Sequence, residues 1–256
     1  MAQQPRTPLI PRTAPWGEVH AALVSAQKSN RNAPAYSRWI NRPLGRIFAA
    51  TAYRLGLSPN AISVISAAFT FAGIILLALR PDTVLTGILV ALLLVLGYAL
   101  DSSDGQVARL QGGGSLAGEW LDHMFDAVKN GTIHLAVAIF WFGHLGDWSV
   151  TTTLIPLAFG ATTTVWFFGI LLSDLLLRGA GVKRQVSAQD EGKQPIWTSL
   201  LGIPVDYGFL CLSMVLLGWF DVWRWLYVLL LIANVAILLL QSVRWYRRMV
   251  DASNAV

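Results

Sequence analysis

The chain is built from long apolar runs joined by short polar links. Six runs approach or exceed the ~20 residues that a helix needs to cross a bilayer. They lie roughly at residues 60–79, 84–101, 118–145, 150–177, 198–219 and 222–242. The third and fourth are long enough to tilt or to protrude into water. A strand does not give apolar runs of this length. The pattern therefore predicts an all-α polytopic membrane protein with six transmembrane helices.

A different rhythm precedes the first run. In "AYSRWINRPLGRIFAATAYRLGL", Arg38, Arg42 and Arg46 recur in steps of four, while Trp39, Ile40, Leu44, Ile47 and Phe48 take the other side. This predicts an amphipathic helix lying on the inner membrane surface, with Pro43 able to bend it. A solvated charged face with an aromatic anchor accounts for most of it; the sharper reading has one or two of these arginines lining a site entrance. The start, "MAQQPRTPLIPRTAPW", has Pro and Arg where a secretory signal needs an apolar core, and reads as a flexible cytosolic tail. The expected organisation is a tail and interfacial helix over 1–59, a membrane catalytic domain over 60–243 and a C-terminal tail over 244–256.

Composition sharpens this picture. Of 256 residues 55% are hydrophobic and only 13% charged, against about 25% charged in a soluble domain. The lone cysteine, Cys211, excludes an internal disulfide and reads as a small packing residue. Charge also orients the chain. With the N-terminus in the cytosol and alternating spans, cytosolic segments hold 16 of the 19 Lys and Arg. Outer loops hold only Arg80 and Arg224, and Lys129 falls within the third span. This is the positive-inside asymmetry. It places both termini and the 101–117 link on the cytosolic side, at the cell membrane. The net charge of +5 then suits an anionic inner leaflet and needs no nucleic acid.

The link carries the chemistry. "DSSDGQVARLQGGGSLAGEWLDHMFD" gathers Asp101, Asp104, Glu119, Asp122 and Asp126, five of the 14 acids. Asp101 and Asp104 share one helix face, and Asp122 and Asp126 share another. The two helices are consecutive and antiparallel, and the glycines of "LQGGGSLA" suit a tight turn between them. Four carboxylates then converge at one depth. Each bare Asp at a bilayer centre costs roughly 2.5–3.5 kcal/mol, less near the interface, and like charges at close range repel. Two divalent cations balance the four negative charges. All-oxygen ligation selects hard ions, Mg²⁺ or Mn²⁺, and no His–Cys cluster argues for zinc. His123 adjoins Asp122 but faces another side of its helix, as a packing or interfacial histidine would. A metal pair on a membrane face suits phosphoryl chemistry on a pyrophosphate.

Two other classes share some of these features. A non-enzymatic ion transporter spreads its charges along a pathway, whereas these acids gather at one face. In that reading only Arg109 and Lys129 are near enough in sequence to compensate them. A Mg²⁺-dependent intramembrane prenyltransferase also pairs aspartate-rich helices with pyrophosphate, but with more spans and another spacing.

The full pattern is Asp101-x-x-Asp104-Gly105-x-x-Ala108-Arg109, then eight residues, then Gly118-x-x-x-Asp122-x-x-x-Asp126. It resembles the signature of the CDP-alcohol phosphotransferases, integral membrane enzymes of phospholipid synthesis, at all eight fixed positions. Six spans with an interfacial helix ahead of them are similar to that family too. The resemblance implies transfer of a substituted phosphate from a CDP-linked donor, CDP-diacylglycerol or a CDP-alcohol, to an acceptor hydroxyl, with release of CMP. It implies that Asp101, Asp104 and Asp122 hold one ion, and Asp101, Asp122 and Asp126 the second. It makes Asp126 the general base. Gly105, Ala108 and Gly118 then make room for the nucleotide, and Arg109 supports the site or its phosphates; helix packing accounts equally well for Gly118. "LSPNAIS" resembles a Pro-Asn-x-Ile-Thr stretch of relatives, with Ser63 in place of Thr, and puts Asn60 and Ser63 near the nucleotide. Pro59 also fits ordinary helix capping. Asn130 continues the Asp122–Asp126 face and is available to order a ligand carboxylate. Glu119 lies outside the signature, in a supporting role. Lys183 and Arg184 either hold an acceptor phosphate or serve only as positive-inside charge. "NRP" at 41–43 and the basic helix are similar to the inositol-phosphate-using branch. Relatives are commonly homodimers.

Overall fold

The computed structural model describes residues 10–25, 33–79, 83–146, 149–182 and 196–254. Every element among them is helical. Two come before the membrane helices: α1 (Trp16–Ser25) and α2 (Arg42–Arg54), the latter preceded by a π-helical turn over Ser37–Asn41. Pro43 sits in the first turn of α2, where no intrahelical N–H is required. On the predicted interfacial helix, Trp39, Ile40 and Ile47 are exposed, while Gly45, Ala49, Ala50 and Tyr53 are buried against the protein. An apolar exposed face beside arginines is what a bilayer surface accepts.

The long helices follow: α3 (Pro59–Ala78), α4 (Val84–Leu110), α5 (Leu116–Leu145), α6 (Val150–Gly179) and α9 (Phe220–Asn254). Of these, α3, α4, α6 and α9 are long and apolar enough to cross a membrane. The protein is an all-α polytopic membrane protein. Their starts are chemically marked. Ser58 caps α3 by accepting from the Ala61 N–H at 3.2 Å, with Pro59 next. Thr83 and Thr86 form a reciprocal capping pair at the start of α4. Helix α5 is 30 residues long, but Glu119, Asp122, Asp126 and Lys129 make its first half polar.

Two expectations are corrected. The fifth run, 198–219, is not one helix. It is α7 (Ile196–Leu201), a 3₁₀ turn at Ile203–Val205, α8 (Tyr207–Ser213) and a second 3₁₀ turn at Met214–Gly218. Pro204 cannot donate to a helical ladder, and Asp206 restarts the helix by accepting from the Gly208 N–H at 3.1 Å. The N-terminal tail is also not loose throughout. Ala14, Val19 and Leu23 are buried with Ala49, Ala50, Tyr53, Ile62, Val107 and Leu110. The Tyr53 hydroxyl donates to the Ile10 carbonyl at 2.5 Å. Burying α1 on the ends of α2, α3 and α4 gives it the packing that a lone ten-residue helix lacks. At the other end, α9 runs unbroken across the expected boundary at 243–244.

The main core lies around Trp141, Phe140, Phe159, Trp223, Tyr227, Leu94 and Met214. His134 is buried in it, with Nδ1 2.5 Å from the Tyr227 hydroxyl. Helix α3 packs most extensively on α4, and α5 on α6. This fixes the α4–α5 corner where the acids sit.

Candidate active site

The corner is made by a tight glycine turn. The Gly113 N–H bonds to the Ala108 carbonyl at 2.9 Å and the Gly112 N–H to Arg109 at 3.1 Å. Gly112 (φ 84°) and Gly113 (φ 117°) take left-handed backbone that L side chains rarely adopt. Ser115 then caps α5, accepting from the Gly118 N–H at 3.0 Å. Helix α5 thus returns alongside α4, and the four aspartates line one cleft of about 1180 Å³.

Within it, Asp101, Asp104 and Asp122 each offer a carboxylate oxygen, all within 4.8 Å of one another. That is a span one hard cation can bridge, and the donors are all oxygen. A second group at the same spacing is Asp122, His123 and Asp126. Among the described residues, no such group combines Asp101 with Asp126. Between those two lies an ammonium. Lys129 Nζ is 2.5 Å from Asp126 Oδ1 and 3.4 Å from Asp101 Oδ2. Its side chain is only 10% exposed.

Supporting contacts hold the acids in place. Asp104 is buried, and Ser63 Oγ on α3 stands 2.5 Å from its Oδ2. The same hydroxyl is 3.1 Å from the Pro59 carbonyl, so its single proton goes to the nearer, charged acceptor. Below Lys129 stands an aromatic wall. The ammonium is 5.1 Å from the Tyr207 ring and 5.9 Å from the Tyr98 ring. The Tyr98 hydroxyl meets Ser37 Oγ at 2.8 Å, and Ser37 Oγ donates to Asp206 Oδ1 at 3.1 Å. The Ser37 N–H donates to Asp206 Oδ2 at 2.9 Å. The broken fifth segment thereby ties the interfacial segment to the site. Tyr36 lies in that segment, its ring stacked on Tyr98 at 6.3 Å. Burial pushes the Tyr36 hydroxyl up to about 12, so it remains neutral.

The remaining expected residues fall as follows. Asn60, Ser63, Gly105, Ala108, Arg109, Gly118 and Asn130 all line the cleft. A Cβ at Gly105 would meet only Arg109 Nη1, at 3.5 Å, so that wall is open. A Cβ at Gly118 would come to 3.0 Å from Asn60 Oδ1, so this glycine lets α5 approach the start of α3. Glu119 accepts from Arg178 on α6 at 2.7 Å, and Arg178 also pairs with Asp174. His123 lies at the ligand atoms of Asp122 and Asp126, with its ring against Phe167 at 6.3 Å. Lys183 and Arg184 lie outside the described residues. Asp206, Ser37, Tyr98 and Tyr207 gave no sequence signal beyond an acid within an apolar run at 206.

The CDP-alcohol phosphatidyltransferase profile matches residues 56–207, more than half of the chain. The chain belongs to the CDP-alcohol phosphatidyltransferase family. That membership speaks for a transferase over the transporter and prenyltransferase readings. It is also similar to the archaetidylinositol phosphate synthase of Pyrococcus horikoshii, 33% identical over 112 residues. That alignment covers 44% of this chain and 55% of the relative, so the chain spans about half the relative's length. The family matched here uses a divalent metal, and the acidic donor set fits one.

Proposed function

We propose that this protein transfers a substituted phosphate group from a CDP-linked donor to an acceptor hydroxyl, releasing CMP, in phospholipid synthesis. The observation that carries this is the meeting of Asp101, Asp104 and Asp122 within 4.8 Å in a cleft that Asp126 also lines. CDP-diacylglycerol as donor and an inositol phosphate as acceptor are the substrates we assign. The similar relative's name, archaetidylinositol phosphate synthase, supports that choice. The catalytic unit is residues 60–243, and the protein works as a homodimer in the cell membrane. Its site and both termini face the cytosol, a reading the charge asymmetry supports.

Asp101, Asp104, Asp122 and Asp126 would hold two ions, Mg²⁺ or Mn²⁺. When bound, such ions supply charge neutralisation for a diphosphate and its leaving oxygen. The chain's own residues do the rest. The open wall at Gly105 and Ala108 admits the nucleotide between α4 and α5. Arg109 and Asn60 border it, and Lys183 and Arg184 serve the acceptor phosphate. Asp126 accepts the proton of the acceptor hydroxyl. The apolar stretch of α6 beside the cleft keeps bulk water from the phosphorus.

The test is incubation of the purified protein with radiolabelled CDP-diacylglycerol and a panel of alcohols, with CDP-alcohols and lipid as the reverse panel. CMP release with a labelled lipid product is expected, and Asp126→Asn should retain nucleotide binding while losing turnover. No CMP from any CDP-linked donor would refute the assignment.

A further inference from the structure

We infer that Lys129 is a tethered cation that competes with a second divalent ion for Asp101 and Asp126. The inference rests on the metal-site reading above and concerns this chain's own ammonium. Lys129 lies three residues beyond Asp126, so helix geometry carries its side chain back onto the same face. Its Nζ bridges Asp126 at 2.5 Å and Asp101 at 3.4 Å. These are two of the three carboxylates that a second ion would need. The third, Asp122, is shared: it meets Asp101 and Asp104 in one group and His123 and Asp126 in the other. The four acids thus divide unequally. Asp101, Asp104 and Asp122 meet at a spacing one ion can span, whereas Asp126 reaches that spacing only with Asp122 and His123 and is joined to Asp101 by the Lys129 side chain.

An ammonium and a divalent ion cannot share these oxygens without strong repulsion in a low-dielectric site. Lys129 has somewhere to go. Its stem is unbranched, and the rings of Tyr207 and Tyr98 already stand 5.1 and 5.9 Å from Nζ. Phenol faces attract a cation, so a short retreat toward them keeps the ammonium satisfied and frees both carboxylates. Two consequences follow. Binding of two ions is graded, with a tight step at Asp101, Asp104 and Asp122 and a weaker one at Asp126. Lys129 also prevents repulsion between Asp101 and Asp126 whenever the second ion is away.

Calorimetric titration of Mn²⁺ into chelator-stripped, full-length protein in detergent tests this. Wild type should show a tight and a weaker step. In Lys129→Met and Lys129→Gln the weaker step should tighten by about tenfold or more, while Lys129→Arg should titrate like wild type. Thermal unfolding followed in parallel should show Lys129→Met melting below wild type in chelator and recovering in saturating Mn²⁺. Folded Met and Gln variants with an unchanged or weakened second step would overturn the competition. A folded wild type that binds no Mn²⁺ would instead overturn the metal-site reading itself.

Discussion

Replacing Ser63 by Ala removes one oxygen atom beside Asp104. The Ser63 hydroxyl donates to Asp104 at 2.5 Å, and both residues are buried. A hydrogen bond to a charged group contributes about 1.5–3 kcal/mol. At about 1.4 kcal/mol per tenfold, its loss should weaken ion binding at Asp101, Asp104 and Asp122 by roughly 10- to 150-fold. Measured losses for residues that orient metal ligands, about 10- to 100-fold, fall in the same range. Mn²⁺ titration of Ser63→Ala against wild type reads this directly, and the metal concentration for half-maximal CMP release should rise in step. Ser63→Thr keeps the hydroxyl and should bind nearly as wild type does. A folded Ser63→Ala protein with Mn²⁺ affinity within about threefold of wild type would show that Asp104 does not depend on this contact.

Three further outcomes are expected. Gly105→Val should fold and bind Mn²⁺ normally yet lose about tenfold or more in CMP affinity by equilibrium dialysis, because its side chain enters open cleft beside Arg109. Tyr227→Phe leaves the buried His134 Nδ1 without its partner. It should cost about 1–3 kcal/mol, seen as a lower melting temperature with little change in KM. Gly113→Val places a β-branched residue at φ 117°. It should lower both stability and turnover, since the turn sets how α5 meets α4.

The aspartates were legible because their information is local. Spacings of three and four on either side of a glycine turn state both the helix face and the antiparallel return. Ser63 was legible as a cleft residue, but its partner was not. The pattern sets it near the nucleotide; its contact with Asp104, 41 residues away in the chain, carries no sequence signal. Lys129 was visible only as a charge inside a span. Its place between Asp101 and Asp126 depends on how α5 is rotated against α4, and packing decides that. Ser37, Tyr98 and Asp206 join across separations of 61 and 169 residues, which no periodicity encodes. The break in the fifth run was masked by continuous apolarity, although Gly202, Pro204 and Asp206 stood inside it. Helix α1 was masked by its Pro-rich surroundings; Val19 and Leu23, four apart, were the available sign.

Unwinding a helix leaves carbonyl groups without their backbone partners. At Pro204 this is resolved by Asn234 of α9, whose Nδ2 donates to the Pro204 carbonyl at 2.6 Å and to Leu230 in its own helix at 2.9 Å. The elbow is therefore bolted to the last helix. Neither element can slide along the other without orphaning a polar atom, so the fifth segment works as a rigid bracket.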